Sequence, residues 1–152
     1  MKITIKSITQ NEEAPIELLL LADPSEKVIN RYLHKSKIFL VKDKDEVLGV
    51  LALKLEDDEA EIMNVAVDEK YQGRGIGSML INHAIQFSKN SKVRKLLIGT
   101  ADTSENQLRL YQKLGFTTAG RITNFFIDNY DEPIYENGKQ AGDMIRLEMS
   151  LT

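Results

Sequence analysis

The chain has 152 residues, a formal net charge of −3, 42% hydrophobic and 28% charged residues, and no cysteine. That length fits one domain around one core, and the acidic balance argues against the concentrated positive face of a nucleic-acid binder. Without cysteine there is no disulfide, no thiolate metal site and no cysteinyl acyl-enzyme.

The opening MKITIKSI alternates Lys2, Thr4 and Lys6 with Ile3 and Ile5, which predicts a strand and not the apolar core of a signal peptide. The longest apolar run, IELLLLA at 16 to 22, contains Glu17 and is far short of a membrane span, so a cytoplasmic protein with no membrane attachment is expected. Residues 12 to 22 and 25 to 35 read as two helices interrupted by Pro24, with Ser25 as the N-cap of the second. KIFLVKD at 37 to 43 and EVLGVLALKL at 46 to 55 read as a hairpin around a charged turn, and AEIMNVAV at 60 to 67 as the next strand.

From Ile76 to Phe87 apolar residues recur at helical spacing, and KLLIGT at 95 to 100 reads as a buried strand. Leu108, Leu110, Tyr111 and Leu114 mark a further helix that Gly115 stops. GFTTAGR and MIRLEMSL read as the last two strands, joined by a long loop. The expected order is β-α-α-β-β-β-α-β-α-β-β, a mixed sheet with helices packed on it.

YQGRGIGS at 71 to 78 places Gly73, Gly75 and Gly77 at alternate positions ahead of a helix. One reading is a tight connection that needs unusual dihedrals. The other is a bare backbone at a helix N-terminus, open to an anion. A P-loop would need a lysine before Ser78, and a dinucleotide fingerprint would need glycine at 78, so neither fits. A phosphate cradle remains, with Arg74 as a fixed charge and Gln72 as a neutral polar group.

These residues carry a family resemblance. NVAVDEKYQGRGIGSMLI is similar to the acyl-CoA motif of the GNAT superfamily (GCN5-related N-acetyltransferases), Gln/Arg-x-x-Gly-x-Gly/Ala, matched by Gln72, Gly75 and Gly77. Downstream, NQLRLYQKLGF resembles the family's second motif, Leu-Tyr-x-x-x-Gly-Phe. The chain thus resembles a bacterial-type member with one N-acetyltransferase domain over residues 1 to 152. The resemblance implies an α+β (mixed α/β) fold, the GNAT-type acyl-CoA N-acyltransferase fold, with a mixed, mostly antiparallel twisted sheet flanked by helices. It implies acetyl-CoA as cosubstrate, no metal, and direct transfer to a primary amine.

By the same resemblance, Val65, Ala66 and Val67 offer main-chain groups to the pantetheine arm, a role compatible with plain strand core. Gln72, Gly73, Arg74, Gly75, Ile76 and Gly77 cradle the pyrophosphate. Tyr111 matches the tyrosine that protonates the departing thiolate; its other reading is a core aromatic among leucines. Glu61, fourteen residues before Gly75, matches the strand glutamate of histone-acetylating members and is the candidate base, or else a solvent-face residue beside Glu59. Ser104 stands seven residues before Tyr111, where many members have asparagine, with Asn106 two residues later. Both are candidate CoA contacts, Ser104 alternatively a helix N-cap. Gly99 stands where members acting on protein N-termini often carry glutamate, which points away from that acceptor. His34 and His83 are isolated and imply no metal.

Residues 123 to 143 hold Phe125, Phe126, Tyr130 and Tyr135, and five acids, Asp128, Asp131, Glu132, Glu136 and Asp143, against Lys139 alone. The expected use is an acceptor wall for a small cationic amine, through charge and cation–π contact, so that Asp131→Asn with Glu132→Gln is expected to raise the acceptor KM and leave the acetyl-CoA KM unchanged. The alternative is a solvated loop whose aromatics cover the core or a homodimer contact. Two other functions stay open: a non-catalytic acyl-CoA sensor or interaction module, and acetylation of protein lysines or N-termini.

Overall fold

The computed structural model describes residues 2–9 and 11–152. Met1, the first residue of the opening stretch read as a strand, lies outside them. The chain runs β1 (Ile3–Ser7), α1 (Ile16–Ala22), α2 (Glu26–Tyr32), β2 (Ser36–Asp43), β3 (Glu46–Glu56), β4 (Glu59–Val67), α3 (Ile76–Asn90), β5 (Lys95–Ala101), α4 (Glu105–Lys113), β6 (Thr117–Ile122), α5 (Phe125–Asn129), β7 (Tyr135–Glu136), β8 (Lys139–Gln140) and β9 (Met144–Ser150). Short 3-10 turns cover Leu33–Lys35 and Glu69–Tyr71. Among the described residues seven strands form one sheet in the order β1-β2-β3-β4-β5-β9-β6, and β7 pairs with β8 alone. Every pairing in the large sheet is antiparallel except β4 with β5.

The two sheet faces bury two apolar clusters. One gathers Ile76, Leu80, Ile81 and Ala84 of α3 with Tyr111 and Phe116 over Leu51, Leu53, Ile62 and Ile98. These positions recur every three or four residues along α3, so one stripe of the helix meets the sheet. Gly49 on β3 permits this approach: a Cβ there would lie 3.1 Å from both Ile76 Cγ2 and Leu80 Cδ1. The other cluster packs Leu18 and Leu19 of α1 and Val28, Ile29 and Tyr32 of α2 on Ile38, Leu40, Val50, Ala52 and Ala66. Ser25 caps α2 as read from the sequence, its Oγ accepting from Val28 N–H at 3.1 Å. No helix among the described residues is long and apolar enough to cross a membrane.

The segment between the last two strands of the large sheet departs from the expected long loop. It folds into α5 and the β7–β8 hairpin, turned by Asn137 and Gly138 at φ 55 and 78. Both turn residues are left-handed, the geometry a two-residue hairpin favours and an Asn-Gly pair adopts readily. Asp102 pins this segment to the end of β5 by accepting from the N–H groups of Gly142 and Asp143, each at 3.1 Å.

Candidate active site where two strands part

The site begins with one surplus residue. On β4, Asn64 faces Ala52 and Ile62 faces Leu53, leaving Met63 without a partner on β3. Ahead of this bulge Ala60 and Ile62 pack toward α3; beyond it Val65 and Val67 do, while Asn64 and Ala66 turn toward α1 and α2. Bulges bend the strand that carries them. The parallel ladder to β5 accordingly stops at Ile62 opposite Ile98, although β4 continues to Val67. The edge of Val65–Val67 that faces β5 therefore has no ladder partner among the described residues.

The chain then enters the glycine loop. Gln72 Nε2 donates to the Val67 carbonyl at 3.0 Å, and Tyr71 OH donates to Glu46 Oε1 at 2.8 Å, fastening the loop to the sheet. Gln72 thus braces the cradle with its side chain. Gly73 and Gly75 have φ of 79 and 82, and a Cβ on either would meet nothing within 4 Å. The left-handed backbone suits a tight connection, and the open space beside it leaves room for a bound group. Gly75 is the N-cap of α3 and offers no side chain, and the first intrahelical bond runs from Met79 N–H to Gly75 O at 3.0 Å. The N–H groups of Ile76, Gly77 and Ser78 precede that bond and have no acceptor within the helix. They open on a cavity of about 460 Å³ that the Val65–Val67 edge also lines. Arg74 lies outside this lining, its guanidinium 5.5 Å from the Tyr71 ring centre.

A second cavity of about 450 Å³ lies on the other side of Tyr111. Tyr111, Val65, Gln107, Leu21 and Ala22 line both, so the two spaces meet there. Tyr111 is 7% exposed, and burial pushes its phenol up to about 12. It remains protonated across the neutral range and so has a proton to donate. The second cavity continues past Asn64, Gly99, Phe126, Tyr130 and Tyr135 and holds two carboxylates, Asp23 and Glu136.

Several sequence candidates sit elsewhere. Glu61 is held by Arg146, Nη1 to Oε2 at 2.7 Å, and lines neither of these cavities. Ser104 occupies the N-cap position of α4 without capping it; its Oγ donates to Glu136 Oε1 at 2.5 Å. Asn106 is exposed and accepts from Arg109, outside both cavities. Asp131 is exposed and pairs with Lys27 at 3.5 Å, and Asp143 pairs with Arg121 at 3.1 Å, so the loop's acids are mostly spent outside the cavity.

Asp23 is the residue that sequence reading passed over. It ends α1, is 8% exposed, and accepts from Tyr32 OH at 2.9 Å and from Tyr130 OH at 2.8 Å. Burial raises its carboxyl above the ordinary range, and the two phenols, the Ser25 N–H and the Arg31 charge offset part of that. Beside Pro24 it reads as a turn acid; only folding brings Tyr130 to it. Among the described residues, no group of three or more His, Asp or Glu could hold a metal ion.

A family model, the acetyltransferase (GNAT) family, matches residues 8–116. An uncharacterized N-acetyltransferase of Bacillus subtilis (strain 168), YvbK, is 38% identical over 151 residues, which span 99% of this chain and 97% of that protein. A GNAT family acetyltransferase from Elizabethkingia anophelis, solved with acetyl-CoA bound, superposes with a TM-score of 0.94 at 46% identity over 97% of each chain. The IAA acetyltransferase from Bacillus cereus ATCC 14579 does so with a TM-score of 0.92 at 41% identity, over 98% of this chain and 99% of that one.

Proposed function

The chain belongs to the GNAT acetyltransferase family and uses acetyl-CoA, and from that premise we propose that it acetylates the primary amine of a small cationic acceptor seated in the 450 Å³ cavity. The observation that carries this reading is charge. The cavity lining holds the carboxylates of Asp23 and Glu136 and, among the described residues, no Lys, Arg or His. Such a space attracts an ammonium and repels a carboxylate. Phe126, Tyr130 and Tyr135 add ring faces for the same cation.

Acetyl-CoA supplies an activated thioester; the chain supplies position and proton management. The open N–H groups ahead of α3 suit its pyrophosphate, and the unpaired Val65–Val67 edge suits the amide-bearing arm. Holding two reactants at the junction of two cavities removes much of the entropic barrier. A main-chain N–H near Val65 donates to the carbonyl oxygen as negative charge gathers there. Tyr111 faces the departing sulfur from the shared wall. A phenol near 12 is a weaker acid than a thiol near about 8.5. Full proton donation is therefore uphill unless Tyr111 recovers a proton from the amine nitrogen as it gives one up. Transfer is direct, by attack within the ternary complex.

Release of free thiol from acetyl-CoA, measured with polyamines, aminoglycosides, amino acids and peptides, tests the reading. Cationic amines are expected to be turned over best, with an acceptor KM that rises with salt. Preference for a neutral or acidic acceptor, or no turnover with any amine, would refute it.

A further inference from the structure

We propose that Asp23 is the proton acceptor for the incoming amine, the carboxylate that meets the ammonium and takes one of its protons before attack. The proposal rests on the acetyl-transfer reading above and adds the residue that reading lacks.

Its first support is an unbalanced charge. Asp23 is 8% exposed, yet among the described residues it has no ion-pair partner. Its side-chain partners are phenols, Tyr32 from α2 and Tyr130 from the segment after α5. Burial raises both phenols well above their ordinary range, so neither gives up its proton. Arg31 of α2 contributes charge from a distance while its Nη1 donates to Asn129 Oδ1 at 3.5 Å. From β4 the Asn64 amide joins this network, and Glu136 of β7 shares the cavity. A buried anion served only by neutral donors is costly. A cationic ligand would supply the missing partner.

The second support is an orphaned acceptor beside it. Asn64 Nδ2 donates to the Leu19 carbonyl at 3.0 Å and to the Tyr32 phenol oxygen Oη at 3.1 Å, whose own hydrogen goes to Asp23. Both neighbours demand the amide nitrogen, so the orientation of Asn64 is fixed. Its Oδ1 is left buried with no hydrogen-bond partner among the described residues, on a side chain 5% exposed that lines the cavity holding Asp23. An ammonium between Asp23 and Asn64 would satisfy both.

The third is placement. Leu21 and Ala22, the residues just before Asp23, line both cavities with Tyr111. Glu136 comes instead from the hairpin, its Oε1 already taken by Ser104 at 2.5 Å and Thr103 at 3.3 Å.

The amine enters as R–NH3+, and Asp23 removes one proton. The freed lone pair forms the C–N bond at the thioester carbon while the carbonyl π pair moves onto oxygen. When that pair returns, the C–S bond breaks and its electrons leave on sulfur, which takes the Tyr111 proton. Tyr111 recovers the second nitrogen proton, and Asp23 releases the first to solvent.

The test compares wild type, Asp23→Asn and Tyr130→Phe with a cationic alkylamine from mildly acidic to alkaline pH. Asp23→Asn should lower amine kcat/KM by roughly 10²- to 10³-fold at neutral pH, the scale of a lost general base. Its deficit should shrink toward alkaline pH, where the amine arrives already neutral, and the acetyl-CoA KM should not move. Calorimetry without acetyl-CoA should show weaker amine binding. Tyr130→Phe removes a hydrogen bond that favours the charged carboxylate. It should keep the acidic limb of the profile and shift it to higher pH. A pH-independent deficit in Asp23→Asn, as a merely structural role would give, overturns the proposal. If that variant fails to fold, an acidic limb in Tyr130→Phe unmoved from the wild-type position overturns it alone. Failure of wild type to turn over any amine would instead sink the parent reading.

Discussion

The cavity that suits acetyl-CoA and the cavity proposed for the acceptor share Tyr111 but are assembled differently. The first is largely main chain from one continuous stretch, the Val65–Val67 edge, two left-handed glycines and the first turn of α3. The second gathers residues from α1 and its end, β4, β5, α4, α5 and the segment after it, the β7–β8 hairpin and the start of β9. A ligand handled by backbone can be kept constant while side chains drift, whereas a ligand handled by side chains changes with each of them. The contrast assigns the two substrates to separate mutational territories.

The sharpest way to break that division is Gly75→Glu. A side chain forced to φ 82, carrying negative charge to a helix N-terminus, should weaken acetyl-CoA binding by roughly a hundredfold or more, about 2.7 kcal/mol. The stabilisation by acetyl-CoA in a thermal melt should vanish with it. Calorimetric affinity for the amine should hold; loss of both would mean the cavities are not independent.

Tyr111→Phe probes the shared wall. Turnover should drop by about 10²-fold with acetyl-CoA affinity nearly intact, since only a proton donor is removed. An equally stable and fully active variant would return Tyr111 to packing alone.

Glu61→Gln tests a residue outside both spaces. Losing the pair with Arg146, whose side chains are 21% and 22% exposed, should reduce stability by about 1 kcal/mol, with kcat changed less than about threefold. A displaced acidic limb in the pH–rate profile would bring Glu61 back as the base.

A smaller effect should appear in stability against pH. Asp23 has a folded pKa raised above its unfolded value, so the folded state binds the proton more tightly. Its contribution is then most favourable below the unfolded pKa of about 3.9 and declines as pH rises through the raised folded value. The melting-temperature difference, wild type minus Asp23→Asn, should therefore fall across that window and level off above it. Smallest of all, Asp131→Asn with Glu132→Gln should leave the acceptor KM within about twofold, because both acids are exposed and neither lines the cavity.

The same contrast explains what the sequence could disclose. The glycine loop, α3 and α4 are local: spacing within about a dozen residues specifies them, and they emerged with nearly correct bounds. The break in alternation from Ala60 and Ile62 to Val65 and Val67 is also visible in the bare string. The acceptor side is not local. Asp23 gains meaning from Tyr130, 107 residues away, and from Asn64 through Tyr32. A five-residue helix and two-residue strands carry too little periodicity to be recognised, so residues 123 to 143 read as loop. Only Asn137-Gly138 announced the hairpin. Acid count in that loop pointed to a cationic ligand, yet Glu136 alone among the five lines the cavity.

Met63 can be regarded as the surplus tooth in a zip. Two parallel strands whose residues matched one for one would go on closing past Ile62 and Ile98, each peptide group drawing in the next. The extra residue throws β4 out of step with β3, and the seam jams open at the point proposed for the thioester. Deleting Met63 while leaving every other side chain in place should let the seam run shut. The opening would then be lost to a change in length, with the Met63 side chain the one group taken from the cavity lining.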